Sequence, residues 1–201
     1  MAPDEPTGPP RVAIVIGQAT LPGRLSRAAE ALAGEIRRLL SDTHVDLIDL
    51  SATPLEICNG GRLEDYGAAT RAAVETIQHA SAVVLCSPVY RASFPGVLKN
   101  ALDLLPVEAL RDKPVGIVAM GASDHHYLGV DSQLRSVLAW FGALPLPTSL
   151  YLTGADFTED REVSREARQT LGALASSLLD LTRRVSGASF GPPPLAAQRR
   201  G

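Results

Sequence analysis

The side chains with chemical reach in this chain gather in three short segments, each following an apolar run: GQATLPGRLS at 17–26, SPVYRASFPG at 87–96 and GASDHHYLGVD at 121–131. The first leads into an amphipathic stretch. It therefore offers the unpaired N–H groups and positive dipole end of a helix start, where an anion such as a phosphate is held. Thr20, Arg24 and Ser26 add two hydroxyls and a guanidinium, and Gln18 directly follows Gly17. Neither GxGxxG nor GxxxxGK[ST] is present, which speaks against an adenine dinucleotide or ATP as the bound ligand. Turn glycines at 17 and 23 with Ser26 as a helix cap would explain the same letters without a ligand.

In the second segment Pro88, Val89 and Tyr90 come directly after a buried strand, and Arg91, Ala92 and Ser93 then change the chain's direction. A rigid turn of this kind lays backbone amides along a flat heteroaromatic ring, with Tyr90 offering a face or an edge. The chain has only nine aromatic residues, and two of them, Tyr90 and Phe94, fall within five positions here. Packing in a core or an interface is the commoner use of such a pair. The third segment supplies Gly121 and Ala122 for close backbone approach, with His125 or His126 as polar donors beside a ring. His125 and His126 are adjacent and have no His or Glu partner at i+4, so they do not form a metal pair. Ser123, a histidine and Asp131 lack the GxSxG elbow of a hydrolase.

Short β-branched runs alternate with helical periodicities, and this order must position the three segments. The strands read as 11–17, 44–50, 81–87, 113–121 and 145–153, and the helices as 24–40, 66–79, 94–105, 128–141 and 161–184. Residues 81–87 and 113–121 are apolar almost throughout, as strands covered on both faces are. HVDLIDL at 44–50 alternates and belongs nearer an edge. Five strands interleaved with five helices predict an α/β fold with a doubly wound five-stranded parallel sheet in three α/β/α layers. Ligands then sit outside the carboxyl ends of the strands, where the three segments fall.

The chain has 201 residues, 45% hydrophobic and 20% charged, with a formal net charge of −3. That composition predicts one soluble domain over 11–184, between a disordered proline-rich lead, 1–10, and a disordered proline-rich tail, 185–201. No basic excess is present to follow a nucleic-acid backbone, and no apolar run approaches the length of a membrane span. Cys58 and Cys86 form no disulfide framework, which fits a reducing cytoplasm. Cys86 reads as a small buried hydrophobe, while Cys58 stays open. Arg199 and Arg200 read as part of a solvated tail.

SPVYRASFPGVLKNALDLLP (87–106) closely resembles the signature of the NAD(P)H-dependent FMN reductases of the flavodoxin-like fold. The resemblance extends from RVAIVIGQATLPGRLS to GIVAMGASDHHYLGVDSQLRSVLAWFGA, and its spacing is closest to the alkanesulfonate-utilisation flavin reductases. It implies that Gln18, Thr20, Arg24 and Ser26 surround the FMN phosphate. It implies that Pro88, Val89, Tyr90, Arg91, Ala92 and Ser93 lie against the isoalloxazine, with Gly121, Ala122, Ser123 and His126 approaching from the other side. Two positions depart from the family pattern. Gln18 stands where a serine is usual, and Ala122 where a second glycine is usual.

The resemblance further implies hydride transfer from NADPH or NADH to FMN, with no catalytic side chain required and reduced flavin passed to a monooxygenase or small acceptors. It implies a homodimer or homotetramer, with Trp140 and Phe141 as candidate anchors. The other readings are a quinone, azo or metal-ion reductase with tightly bound FMN, a non-catalytic FMN electron carrier, and an FMN-free interaction module.

Overall fold

The computed structural model describes residues 9–20 and 23–192. Most of the expected lead and the end of the expected tail, including Arg199 and Arg200, lie outside the described residues. The strands are β1 (Arg11–Ile16), β2 (His44–Asp49), β3 (Ala82–Pro88), β4 (Pro114–Met120), β5 (Leu144–Pro145) and β6 (Leu150–Leu152). The helices are α1 (Arg24–Leu39), α2 (Ala68–His79), α3 (Gly96–Asp103), α4 (Gly129–Phe141) and α5 (Arg165–Val185). All pairings are parallel, in the order β2-β1-β3-β4-β5, with β6 also on β4. Strand order reverses at β1 and β3, the point at which a doubly wound sheet opens a crevice. This is the flavodoxin-like three-layer arrangement. As its alternating pattern suggests, β2 is the edge strand.

Period-two alternation divides the core between two layers. Val12, Ile14 and Ile16 of β1, with Val84 and Cys86 of β3, pack under α1 and α5. Ala13 and Val15, with Val83 and Leu85, face α2, α3 and α4. Both faces of β1, β3 and β4 are covered, so their loops alone reach solvent at the carboxyl edge.

The single fifth strand expected over 145–153 is instead two short pieces, β5 and β6. Pro145 and Pro147 bring no N–H to a ladder, and the connection between them bends away. Arg135 of α4 satisfies that bend by donating to the carbonyls of Leu146 and Pro147 at 2.8 and 3.1 Å. Four helices, α2 to α5, begin later than their periodicity suggests, and for α3 and α5 the cause is plain. Pro95 is extended and caps α3, so Phe94 lies outside the helix. Residues 157–163 form a tight turn with Arg161 at positive φ, and the Ser164 hydroxyl then caps α5 by accepting from Ala167 N–H. Beyond α5, Ser189 Oγ and Phe190 N–H both donate to Asp112. Phe141 is only 3% exposed and belongs to the core, whereas Trp140 beside it is 44% exposed. The ring expected as a second interface anchor is therefore a structural one.

At the amino ends of the strands, remote from the three loops, Lys113 lies beside a 440 Å3 cavity shared with Arg111 and Arg183. Its ammonium caps α2 by donating to the carbonyls of Ile77 and Gln78 at 3.0 and 2.8 Å. Burial pushes its pKa down from 10.5 to about 8. Between those values the unfolded chain still holds a proton that the folded chain has released, so unfolding free energy rises with pH across that window. Urea unfolding of the wild type and of Lys113→Met from pH 7.5 to 10 checks this. The difference between them moves in the wild type's favour as pH rises.

Candidate functional site

The three loops emerge side by side because their bases are pinned to the sheet. Gly17 N–H donates to Cys86 O at 2.7 Å, Val89 N–H to Met120 O at 2.8 Å and Gly121 N–H to Leu152 O at 3.0 Å. Each bond prolongs the ladder by a step and sets the height at which a loop leaves. At Gly17 a Cβ would lie 2.8 Å from that of Leu98 in α3, so no larger residue fits there unless α3 moves.

After Gly17 the chain turns over a buried polar network rather than presenting every side chain outward. Gln18 is almost fully buried, and its Nε2 donates to Ser26 Oγ at 2.6 Å and Asp49 Oδ2 at 3.0 Å. The Ser26 hydroxyl donates in turn to Asp49 Oδ2 at 3.3 Å. Ser51 closes the network, with both its N–H and its hydroxyl donating to Asp49 Oδ1 at 2.9 and 2.6 Å. The side chains of Gln18 and Ser26 thus point inward and knit the loop to the end of β2. Asp49 and Ser51 went unnoticed in the sequence, where a carboxylate at a strand end carries no distinguishing pattern.

What the loop does present is the start of α1. Gly23 at the N-cap brings no side chain to the first N–H groups, those of Arg24, Leu25 and Ser26, which have no partner within the helix. Thr20 is exposed nearby. Arg24 is the first helical residue, its guanidinium 5.9 Å from the centre of the Phe157 ring. Uncapped donors, a helix dipole and a guanidinium make this a place for an anion.

The second loop is a two-residue hairpin. Tyr90 and Ser93 exchange backbone hydrogen bonds of 2.8 and 3.0 Å, and the residues between them, Arg91 and Ala92, have φ of 51° and 61°. Two left-handed residues in succession belong to the type I′ turn, normally built from Asn-Gly. With side chains in both places the conformation costs roughly 1–2 kcal/mol per residue. It is held from outside by α4. Gln133 Nε2 donates to Ala92 O at 3.1 Å and its Oε1 accepts from the Ser93 hydroxyl. Gly129 packs so closely that a Cβ would lie 2.8 Å from Ala92 O. Neither Gln133 nor Gly129 stood out in the sequence, because nothing local ties residue 133 to residue 92.

The third loop depends on a tyrosine from β6. A Cβ on Gly121 would lie 1.9 Å from Tyr151 Oη, and that hydroxyl donates to Ser123 O at 2.7 Å. Burial, then the charge of Asp124, raises the Tyr151 pKa, which keeps the phenol protonated as a donor. Ala122 and His126 are exposed, and His125 Nδ1 lies 3.3 Å from Ser123 Oγ. Tyr90, Ala19 of the first loop, Leu50, Leu55 and Val97 line a largely apolar 470 Å3 cleft. Two thiols lie nearby. Full burial pushes Cys86 up to about 12, and the Cys58 thiol donates to Asp103 O at 3.3 Å.

Gly121→Ala must therefore drive Tyr151 off Ser123. The expected loss is about 1–3 kcal/mol of stability. Chemical denaturation reads it, and in a Tyr151→Phe background, where the clashing oxygen is gone, the same substitution has a smaller effect.

The fold and loops have close counterparts among known proteins. The family described as NADPH-dependent FMN reductase matches residues 10–157. The chain is 37% identical over 173 residues to an FMN reductase (NADPH) of Pseudomonas aeruginosa, covering 83% of this chain and 90% of that one. It is 34% identical over 154 residues to the NADH-dependent FMN reductase SfnF of Pseudomonas fluorescens, covering 75% and 80%. The solved structure of FerB, a flavoenzyme NAD(P)H:(acceptor) oxidoreductase from Paracoccus denitrificans, shares the fold with a TM-score of 0.72 at 17% identity, over 88% of this chain and 99% of that one. With a family match over most of its length and relatives above a third identical, the chain belongs to the NAD(P)H-dependent FMN reductases.

Proposed function

We propose that FMN binds across the three loops, its phosphate at the start of α1 and its ring between the 88–93 turn and the 121–123 loop. The observation that carries this reading is the convergence, at the switch point of the sheet, of an uncapped helix start with two backbone walls. At the bases of the first and third loops Gly17 and Gly121 leave no room for a Cβ against Leu98 and Tyr151, which fixes where those loops start. Thr20, Arg24 and the backbone of Ser26 hold the phosphate, while Gln18 and the Ser26 hydroxyl hold the loop from behind. Pro88, Val89, Tyr90, Arg91, Ala92 and Ser93 present mostly backbone to one side of the ring. Gly121, Ala122, Ser123 and His126 border the other.

When bound, FMN supplies the hydride acceptor for NADPH or NADH. The chain's part is to orient rather than to donate protons. Tyr90, exposed at the lip of the apolar cleft, offers a surface on which a flat ring packs, and the 88–93 turn excludes water from one side. Tyr151 keeps its proton and holds the third loop by its hydrogen bond to Ser123. Reduced flavin then leaves for a separate monooxygenase, as in the alkanesulfonate-utilisation type, or electrons pass to small acceptors. Two unpaired thiols suit a reducing cytoplasm.

Visible absorbance of the protein with FMN, before and after anaerobic NADPH or NADH, tests the reading. Turnover bleaches the flavin band, whereas binding without bleaching by either nucleotide would leave only an electron carrier. Replacing Arg24 by Ala weakens FMN about tenfold, as loss of a charged hydrogen bond does.

The same proposal includes a homodimer or homotetramer, supported by Trp140, which stands exposed on α4 beside Lys99, Asp103 and Val137 at a 400 Å3 depression. Sedimentation of Trp140→Asp is expected to show a smaller species than the wild type.

A further inference from the structure

We infer that Gln133 is a positioning residue that holds the strained 90–93 turn in its left-handed form and so sets the gap between the two walls of the flavin slot. The inference rests on the reading that this turn is one of those walls.

The geometry is specific to one side chain. Gly129 and Gln133 stand four residues apart on α4, so they share a face, and that face meets the turn. Gly129 lets the helix come within van der Waals reach of Ala92 O, and Gln133 then uses both ends of its amide on the turn. Its N–H group donates to Ala92 O, and its oxygen accepts from the Ser93 hydroxyl. Arg91 and Ala92 are both left-handed without glycine, so their own preference is to leave that conformation. The loop that forms the opposite wall, 121–128, runs directly into α4. A contact from α4 to the turn therefore ties the two walls together.

The far side of the same helix is equally anchored. Asp131 Oδ2 accepts from Arg135 Nε at 2.8 Å, and Arg135 reaches the carbonyls of Leu146 and Pro147. The helix is thus tied to the connection between β5 and β6 independently of the turn, which gives Gln133 a firm base. No part of this requires Gln133 to touch the ligand.

The test is a double-mutant cycle on the full-length chain. Gln133→Ala is made alone and in an Ala92→Gly background, where glycine favours the left-handed turn without help. FMN affinity is read from flavin fluorescence quenching, and the Ser93 amide, which donates to Tyr90 O, is followed by hydrogen exchange in the flavin-free protein. Gln133→Ala alone is expected to weaken FMN by about tenfold and to speed Ser93 exchange by a similar factor, the size expected for losing one to two hydrogen bonds. In the Ala92→Gly background the same change is expected to weaken FMN by less than about threefold.

An equal loss in both backgrounds would overturn the inference, since Gln133 would then act on FMN itself. Tyr90→Ala is the control for the site reading. If it weakens FMN while Gln133→Ala does not, the positioning role fails and the site stands. If neither change affects FMN, the turn is not a wall and both readings fall.

Discussion

The lack of room for a Cβ at the carboxyl edge of the sheet governs everything built upon it. Gly17 lies against Leu98 of α3, and Gly121 lies against the Tyr151 hydroxyl from β6. Each glycine marks a point where a loop leaves the sheet directly beneath a neighbouring element. Larger residues would force those elements outward and spread the loops. Because β1, β3 and β4 are covered on both faces, the loops have no other direction in which to relax. The loop bases are fixed in height and spacing because the core beneath them is full.

A second constraint acts within the loops themselves. The first loop is stiffened by a buried polar network around Asp49, in which Gln18, Ser26 and Ser51 satisfy one carboxylate. The second is stiffened by strain held in place from α4. Both devices remove freedom from backbone that would otherwise have to be ordered when a ligand arrives, and preorganisation of that kind favours affinity. The departure at Gln18 fits this picture, for its amide reaches Ser26 and Asp49 together, which a serine at the same position is too short to do. At position 122 the chain is exposed, so an alanine meets no obstruction there.

Much of this was legible in the residues themselves. The apolar runs at 12–16, 82–86 and 114–119 marked the central strands, since a strand covered on both faces is apolar almost throughout. The alternation of HVDLIDL placed β2 at an edge. The three polar loops were visible as candidate sites because a doubly wound fold places its ligands at the carboxyl ends of the strands, where they fall. The broken fifth strand was harder, although Pro145 and Pro147 are its cause. A proline states where a ladder is interrupted but not whether the strand resumes.

What the sequence determined alone was the order of helices and strands, which strands are covered on both faces and the three segments that follow the central strands. Periodicity and turn chemistry are local properties, and local properties are written in consecutive residues. Only the tertiary structure decided that Gln18 and Ser26 turn inward, that Tyr151 supports the loop at Gly121, and that Gln133 grips a turn 40 residues away. It also sent Phe141 into the core and left Trp140 outside. Those outcomes depend on which helix packs over which loop, and spacing along the chain says nothing of it. The Arg91-Ala92 pair shows the limit most plainly, because neither residue favours a left-handed turn and the contacts that brace it from α4 come from far along the chain.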